Sequence, residues 1–161
     1  SRPRHSDSLD AMPHGPAAIL FDFDGVLVNS EPLHFQALAF ATSKIGVTLT
    51  EADYYDHFIG MDDRNFWKQV CEHHWIQIGP AKVLELVSLK NQQMKKLIDG
   101  KKYDALPGVE SLVRGLWRNY PLAICSGAGR DDIETMLEGI RLRDCFRVIT
   151  ASEDVEQGKP K

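Results

Sequence analysis

The sequence predicts an α/β fold, a Rossmann-like parallel sheet core interrupted by an inserted all-helical block. Three observations carry this. Short apolar runs at 17–21, 121–125 and 146–149 each stop at small, polar or acidic residues. Helical stretches separate the second run from the first and from the third, which implies parallel pairing with right-handed crossovers. The segment 32–102, between the first run and the rest, reads as helices only.

The elements follow in order. Ser1 to Pro16 is polar, has no period, and reads as a disordered leader. Ala17-Ala18-Ile19-Leu20-Phe21 is continuous and apolar, as in a strand buried on both faces. Val26-Leu27-Val28 resumes after Gly25 as a turn or short hairpin. Glu31 to Ile45 is helical, with Gly46 a plausible C-cap. Thr50 is placed to cap the next helix, with Glu51 and Asp53 in its first turn, where the helix dipole favours acids. Asp62 or Asp63 begins a helix toward Trp75. Gly79-Pro80 begins another, with Val83, Val87, Met94, Leu97 and Ile98 on one stripe and Gly100 ending it. Pro107-Gly108 opens a helix through Trp117, with Leu112, Val113 and Leu116 inward. Arg130 to Gly139 is the last helix. The expected division is therefore a leader at 1–16, an α/β core at 17–31 and 103–161, and a helical block at 32–102.

The 161 residues are 43% hydrophobic and 26% charged, enough apolar material for a real core. A formal net charge of −4 gives no basic footprint for nucleic acid. No apolar run approaches the roughly 20 residues needed to cross a bilayer. Cys71, Cys125 and Cys145 are odd in number and widely spaced, which implies neither a disulfide framework nor a metal knuckle. Each reads as a small buried hydrophobe in a reducing, cytoplasmic compartment. A monomer is expected.

In open α/β sheets, ligands bind at the carboxyl ends of the strands. Asp22 and Asp24 follow the first strand, Ser126 and Gly127 the second, and Lys159 lies ten residues beyond Ile149. A turn at Asp24-Gly25 can bring both acids toward one site. Carboxylates are hard ligands suited to Mg²⁺. One can act as a nucleophile and form an aspartyl-phosphate, and the other can move protons. A serine, backbone N–H groups and a lysine can hold phosphoryl oxygens. Each piece alone has an ordinary reading. Acidic strand ends are common, Ser-Gly is a frequent turn, and Gly158-Lys159-Pro160 would be a solvated loop.

Taken jointly, the pieces resemble the haloacid dehalogenase (HAD) superfamily. Asp22-Phe23-Asp24-Gly25-Val26-Leu27 is similar to its first motif, Ile124-Cys125-Ser126-Gly127 to its second and Gly158-Lys159-Pro160 to its third. Asn29-Ser30-Glu31-Pro32-Leu33-His34 resembles the entry to a helical cap in the β-phosphoglucomutase and phosphoglycolate-phosphatase branch. Leu106-Pro107-Gly108-Val109 resembles the return to the core. The resemblance implies an HAD-like core with a helical cap, and a Mg²⁺-dependent phosphatase for a small phosphorylated metabolite. Asp22 would be the nucleophile and a metal ligand. Asp24 would be the general acid/base, its backbone carbonyl on the metal. Ser126, Gly127 and Lys159 would bind the phosphoryl group. In the cap, Glu31, His34, Arg64 and Lys90 are candidate substrate contacts, each with an equally ordinary role on a helix. A sugar phosphomutase using the same Asp22, and a non-catalytic protein on a degraded phosphatase fold, are the alternatives. The family's further acidic pair has no counterpart after Lys159, so a C-terminally truncated core is expected.

Overall fold

The computed structural model describes residues 15–155. Its framework is a three-stranded parallel sheet in the order β1-β2-β3, with β1 Ile19–Phe21, β2 Leu122–Cys125 and β3 Phe146–Thr150. Helix α5 (Val109–Trp117) leads into β2, and α6 (Arg130–Gly139) connects β2 to β3. Between β1 and α5 come α1 (Glu31–Ser43), α2 (Glu51–Asp53), α3 (Asp63–His74) and α4 (Pro80–Asp99). A turn of π-helix, Tyr54–Phe58, follows α2. No strand lies among them.

The predicted cap at Thr50 forms, and of Asp62 and Asp63, the two expected starts of the next helix, Asp62 is the cap. The Thr50 and Asp62 side chains accept the amides of Asp53 and Asn65 at 3.1 and 2.9 Å. Each satisfies a backbone donor that a helix start leaves unpaired. Helix α1 stops earlier than Ile45, at Ser43 with Lys44 as its cap, and Gly46 then turns the chain with φ +76°.

Two apolar clusters hold the chain. The first is built on one face of the sheet. It joins Leu122, Ile124, Phe146 and Ile149 to Val109 and Val113 of α5 and to Ile133, Met136 and Leu137 of α6. The second lies within the helical block, around Phe58, Phe66, Trp67, Val70 and Leu86. Helices α1 and α4 run through both. Leu33 and Ala37 of α1 belong to the first cluster, with Met94, Leu97 and Ile98 of α4, whereas Leu38, Ala41 and Leu86 belong to the second. These two packed helices are the mechanical link between core and block.

Three expectations are corrected. β1 is not covered on both faces, because Leu20 is 66% exposed. Leu20 pairs with Ala123 and Ala123 with Val148, so the three share one sheet face, and Val148 is 56% exposed too. A continuous apolar run fits a strand covered on one face as well as on two. Leu112 of α5 points outward, since Val113 and Val109 take the inward stripe. Cys145 is buried, but Cys71 and Cys125 are only half-buried, and all three are free thiols.

These faces give a direct test. Ile124→Ala is expected to cost about 2–5 kcal/mol, as truncation of a buried aliphatic does. Leu20→Thr is expected to stay within about 0.5 kcal/mol, as at an exposed site. Urea denaturation measures both, and a comparable loss at Leu20 would show that this face is covered in solution.

Candidate active site

The chain leaves β1 at Phe21 and turns at once. Gly25 adopts φ +70°, a conformation that a side chain at this position would strain. The amides of Val26, Leu27 and Val28 all donate to the carbonyl of Phe23, and the Gly25 amide to that of Val28. Val28 then bridges antiparallel to Ala105. On either side of that bridge, Asn29 donates to the Asp104 carbonyl at 2.9 Å and Leu106 to that of Leu27 at 3.1 Å. The strands that leave for the helical block and return from it are thus laced together beside the strand-end turn.

Asp22 closes β1, and its carboxylate is exposed at the strand's carboxyl end, where its Oδ1 accepts the Phe23 amide at 2.7 Å. Asp24, two residues on, is mostly enclosed and is gripped from two directions. The Ser30 hydroxyl donates to Oδ1 at 2.6 Å, and His34 Nε2 stands 3.5 Å from the same oxygen. The Ser126 hydroxyl donates to Oδ2 at 3.3 Å and itself accepts the Ala128 amide at 3.1 Å. Burial pushes the Asp24 carboxyl up. The His34 hydrogen bond and charge, with the Ser30 and Ser126 hydroxyls, outweigh it and hold the group below its usual range.

Gly127 is exposed after β2, and a Cβ there would meet nothing within 4 Å. The space on the side-chain side of its Cα is therefore open. Lys159 lies outside the described residues, so the structure brings together Asp22, Asp24, Ser126 and Gly127. Asp22 and Asp24 supply hard oxygen donors, which suit Mg²⁺. That ion commonly takes only one or two carboxylates and fills its shell with water and phosphate. Among the described residues no group of three or more His, Cys, Asp or Glu could hold a metal, and Asp22 and Asp24 are the described residues that would hold such an ion.

The candidates from the helical block divide. His34 reaches Asp24. Glu31 accepts the buried Tyr54 hydroxyl at 2.7 Å, and burial followed by this carboxylate pushes that phenol above its ordinary value. Arg64 is exposed in the first turn of α3. The Lys90 ammonium is only 14% exposed and lies 3.0 Å from Asp63. Sequence reasoning missed Ser30, which is fully buried and makes the shortest contact to Asp24. Its place six residues after Asp24, at the start of α1, was the available signal. It also missed Asp132, in the first turn of α6. Burial raises that carboxyl, while Lys90 and His34 act against it.

With this geometry in view, comparison with known proteins is decisive on one point. The sequence model for haloacid dehalogenase-like hydrolases matches residues 19–161. The chain belongs to that family. Protein CbbY of Rhodobacter capsulatus is 27% identical over 149 residues, covering 89% of this chain and 66% of its own length. The phosphorylated carbohydrates phosphatase of Thermotoga maritima is 27% identical over 144 residues, covering 89% and 64%. The chain thus spans slightly under two thirds of these relatives. Among solved structures, a Haemophilus somnus protein described as a predicted phosphoglycolate phosphatase superposes with a TM-score of 0.80 at 16% identity, over 89% of this chain and 66% of that one. CbbY from Rhodobacter sphaeroides, solved with phosphate, gives 0.74 at 21% identity, with the same coverage. At these identities the likeness is one of fold, and it matches the parallel sheet with its helical insertion.

The Ser30–Asp24 contact can be tested. A carboxyl held below its unfolded value stabilises the fold above that value and loses this as pH falls through the folded one. Ser30→Ala is expected to cost about 1.5–3 kcal/mol at neutral pH, as for a hydrogen bond to a charged group. The gap from wild type should be smaller at an acid pH below the ordinary aspartate value of 3.8 than at neutral pH, because it is lost as Asp24 protonates through its lowered folded value. Urea titrations at the two pH values check this, and a gap independent of pH would contradict it.

Proposed function

We propose that the protein is a Mg²⁺-dependent phosphatase that hydrolyses a small phosphorylated metabolite through a phosphoaspartate at Asp22. The observation that carries this is the pairing at the end of β1. An exposed carboxylate, Asp22, stands two residues before an enclosed one, Asp24, that is held by hydroxyl and imidazole donors. The two acids have different surroundings, and such a contrast separates a nucleophile from a proton carrier.

The steps balance on these residues. A carboxylate oxygen of Asp22 attacks phosphorus, and the bond to the ester oxygen breaks. The leaving oxygen takes a proton from Asp24. Water then attacks the phosphoaspartate, gives its proton to Asp24 and releases phosphate, restoring Asp22. Without ligand, Asp24 is ionised. A phosphoryl dianion arriving beside it raises its affinity for a proton, because like charges favour the neutral form. The Gly127 amide, the Ser126 hydroxyl and Lys159 would hold the phosphoryl oxygens. A Mg²⁺ held by the Asp22 carboxylate and the Asp24 backbone carbonyl would neutralise phosphoryl charge. The helical block would act as a cap that sheds water from the cleft, with the laced strands at 27–29 and 104–106 as its hinge.

Several relatives carry phosphatase names, including the one for phosphorylated carbohydrates and a chloroplastic phosphatase for 5-amino-6-(5-phospho-D-ribitylamino)uracil. They support a small phosphate ester as substrate. Asp22→Asn is expected to lower phosphate release by roughly 10³-fold or more, as loss of a catalytic nucleophile does. A free-phosphate assay over a panel of esters with saturating Mg²⁺, with circular dichroism as the folding control, measures this. Turnover retained in the variant would contradict a nucleophilic Asp22.

A further inference from the structure

We infer that the cleft beside Asp24 takes a leaving group that is uncharged and hydroxyl-bearing, and discriminates against one that carries a second phosphate. This rests on the phosphatase reading and concerns the far side of the same site. The discriminating residues are Asp132, Asp63 and Lys90.

A second phosphate carries about −1.5 to −2 charges at neutral pH and needs cations that are not already engaged. Lys90 and Arg130 are already engaged. The Lys90 ammonium, enclosed by α3 and α4, lies 3.0 Å from Asp63. Asp132 also lies within its electrostatic reach. This half-buried carboxylate on α6 has Lys90 of α4, His34 of α1, its neighbour Asp131 and Asp24 within electrostatic reach. Lys90 therefore interacts with an acid of the helical block, Asp63, and with an acid of the core, Asp132. Arg130, next to the Ser126–Gly127 turn, donates to the Ile149 carbonyl at 3.0 Å and pairs with Asp154. Its backbone amide is taken by the Glu153 carboxylate at 3.1 Å.

Glu31 adds a third carboxylate on the side of the helical block. Its partner is the Tyr54 hydroxyl, a neutral donor that leaves its charge intact, and Tyr54 in turn lies within reach of the Asp24 field. Lys90 is thus paired with Asp63 and has Asp132 within electrostatic reach. A second phosphate would have to break the Lys90–Asp63 pair and sit beside Asp132, at a cost in low-dielectric surroundings. Hydroxyl groups meet no such barrier. Each donates to carboxylates such as Asp132 and Glu31 and accepts from Lys90 without displacing it. The contrast is with the CbbY mutant from Rhodobacter sphaeroides, which was solved with xylulose-(1,5)bisphosphate and shares this fold. Arg64, beside Asp63 but exposed, has no part in the discrimination.

The test is phosphate release from matched pairs: glucose 6-phosphate against glucose 1,6-bisphosphate, and fructose 6-phosphate against fructose 1,6-bisphosphate, with p-nitrophenyl phosphate as reference. The wild type is expected to favour each monophosphate by about tenfold or more in kcat/KM, the range in which a pocket separates close analogues. Asp63→Asn and Asp132→Asn, which leave the reacting groups in place, should each narrow that ratio by raising bisphosphate turnover. Arg64→Ala should leave it unchanged. Equal or faster bisphosphate turnover by the wild type overturns the inference and leaves the phosphatase reading standing. So do release from p-nitrophenyl phosphate alone, ratios unmoved in both acid variants, and a ratio that moves with Arg64. No release from any of the five esters overturns the phosphatase reading itself, and the inference with it.

Discussion

The Asp24 carboxylate is the point through which the two halves of the chain address each other. It belongs to the turn after β1, it takes hydrogen bonds from Ser30 and His34 at the start of α1, and it takes another from Ser126 after β2. Core and helical block therefore share one mostly enclosed anion. Burying a charge is tolerated only when donors satisfy it, so the entry of α1 is fixed by the chemistry of that carboxyl as much as by packing. Helix α1 then sets α4, and the two carry both apolar clusters. Moving α1 would disturb the packed links to both halves and leave Asp24 short of partners.

The same constraint explains the laced strands. The chain must leave the sheet at Asp22 and return at Leu106 without pulling Asp24 from its donors. The turn at Gly25, the Val28–Ala105 bridge and the flanking backbone bonds hold both crossings to one place. Motion of the helical block would be concentrated there, since on either side the chain is packed into helices.

Much of this was legible in the sequence, and the reasons are local. Strands and helices followed from the length and period of apolar runs, and the cap at Thr50 from a single side chain. The acids and the serine at the strand ends followed from the direction of a parallel sheet. What was not legible depends on partners far along the chain. Leu20 and Leu112 look like core in a linear reading, and only the sheet register and the roll of α5 turn them outward. Ser30 reads as an ordinary residue before a helix until Asp24 is seen against it. Lys90 reads as an available cation because Asp63, 27 residues earlier, gives no sign of reaching it. Asp132 is invisible for the same reason, since its surroundings come from α1 and α4.

These long-range pairs would also decide how the cleft handles charge. On the phosphatase reading, the phosphoryl end must hold a dianion, and the open space at Gly127 suits that. Further out, Asp63 paired with Lys90 and Asp132 within its reach would set up a field that opposes a second anion. A substrate with its charge at one end and hydroxyls at the other would align with that field. One charged at both ends would gain at the phosphoryl group and lose beyond it. Orientation would then come from the gradient as well as from contacts, and it would do so before the helical block closed. The pair that holds α3 to α4, Lys90 with Asp63, would also be the pair that denies a second anion its cation. In that view a single ion pair serves the packing of the helical block and the selectivity of the site.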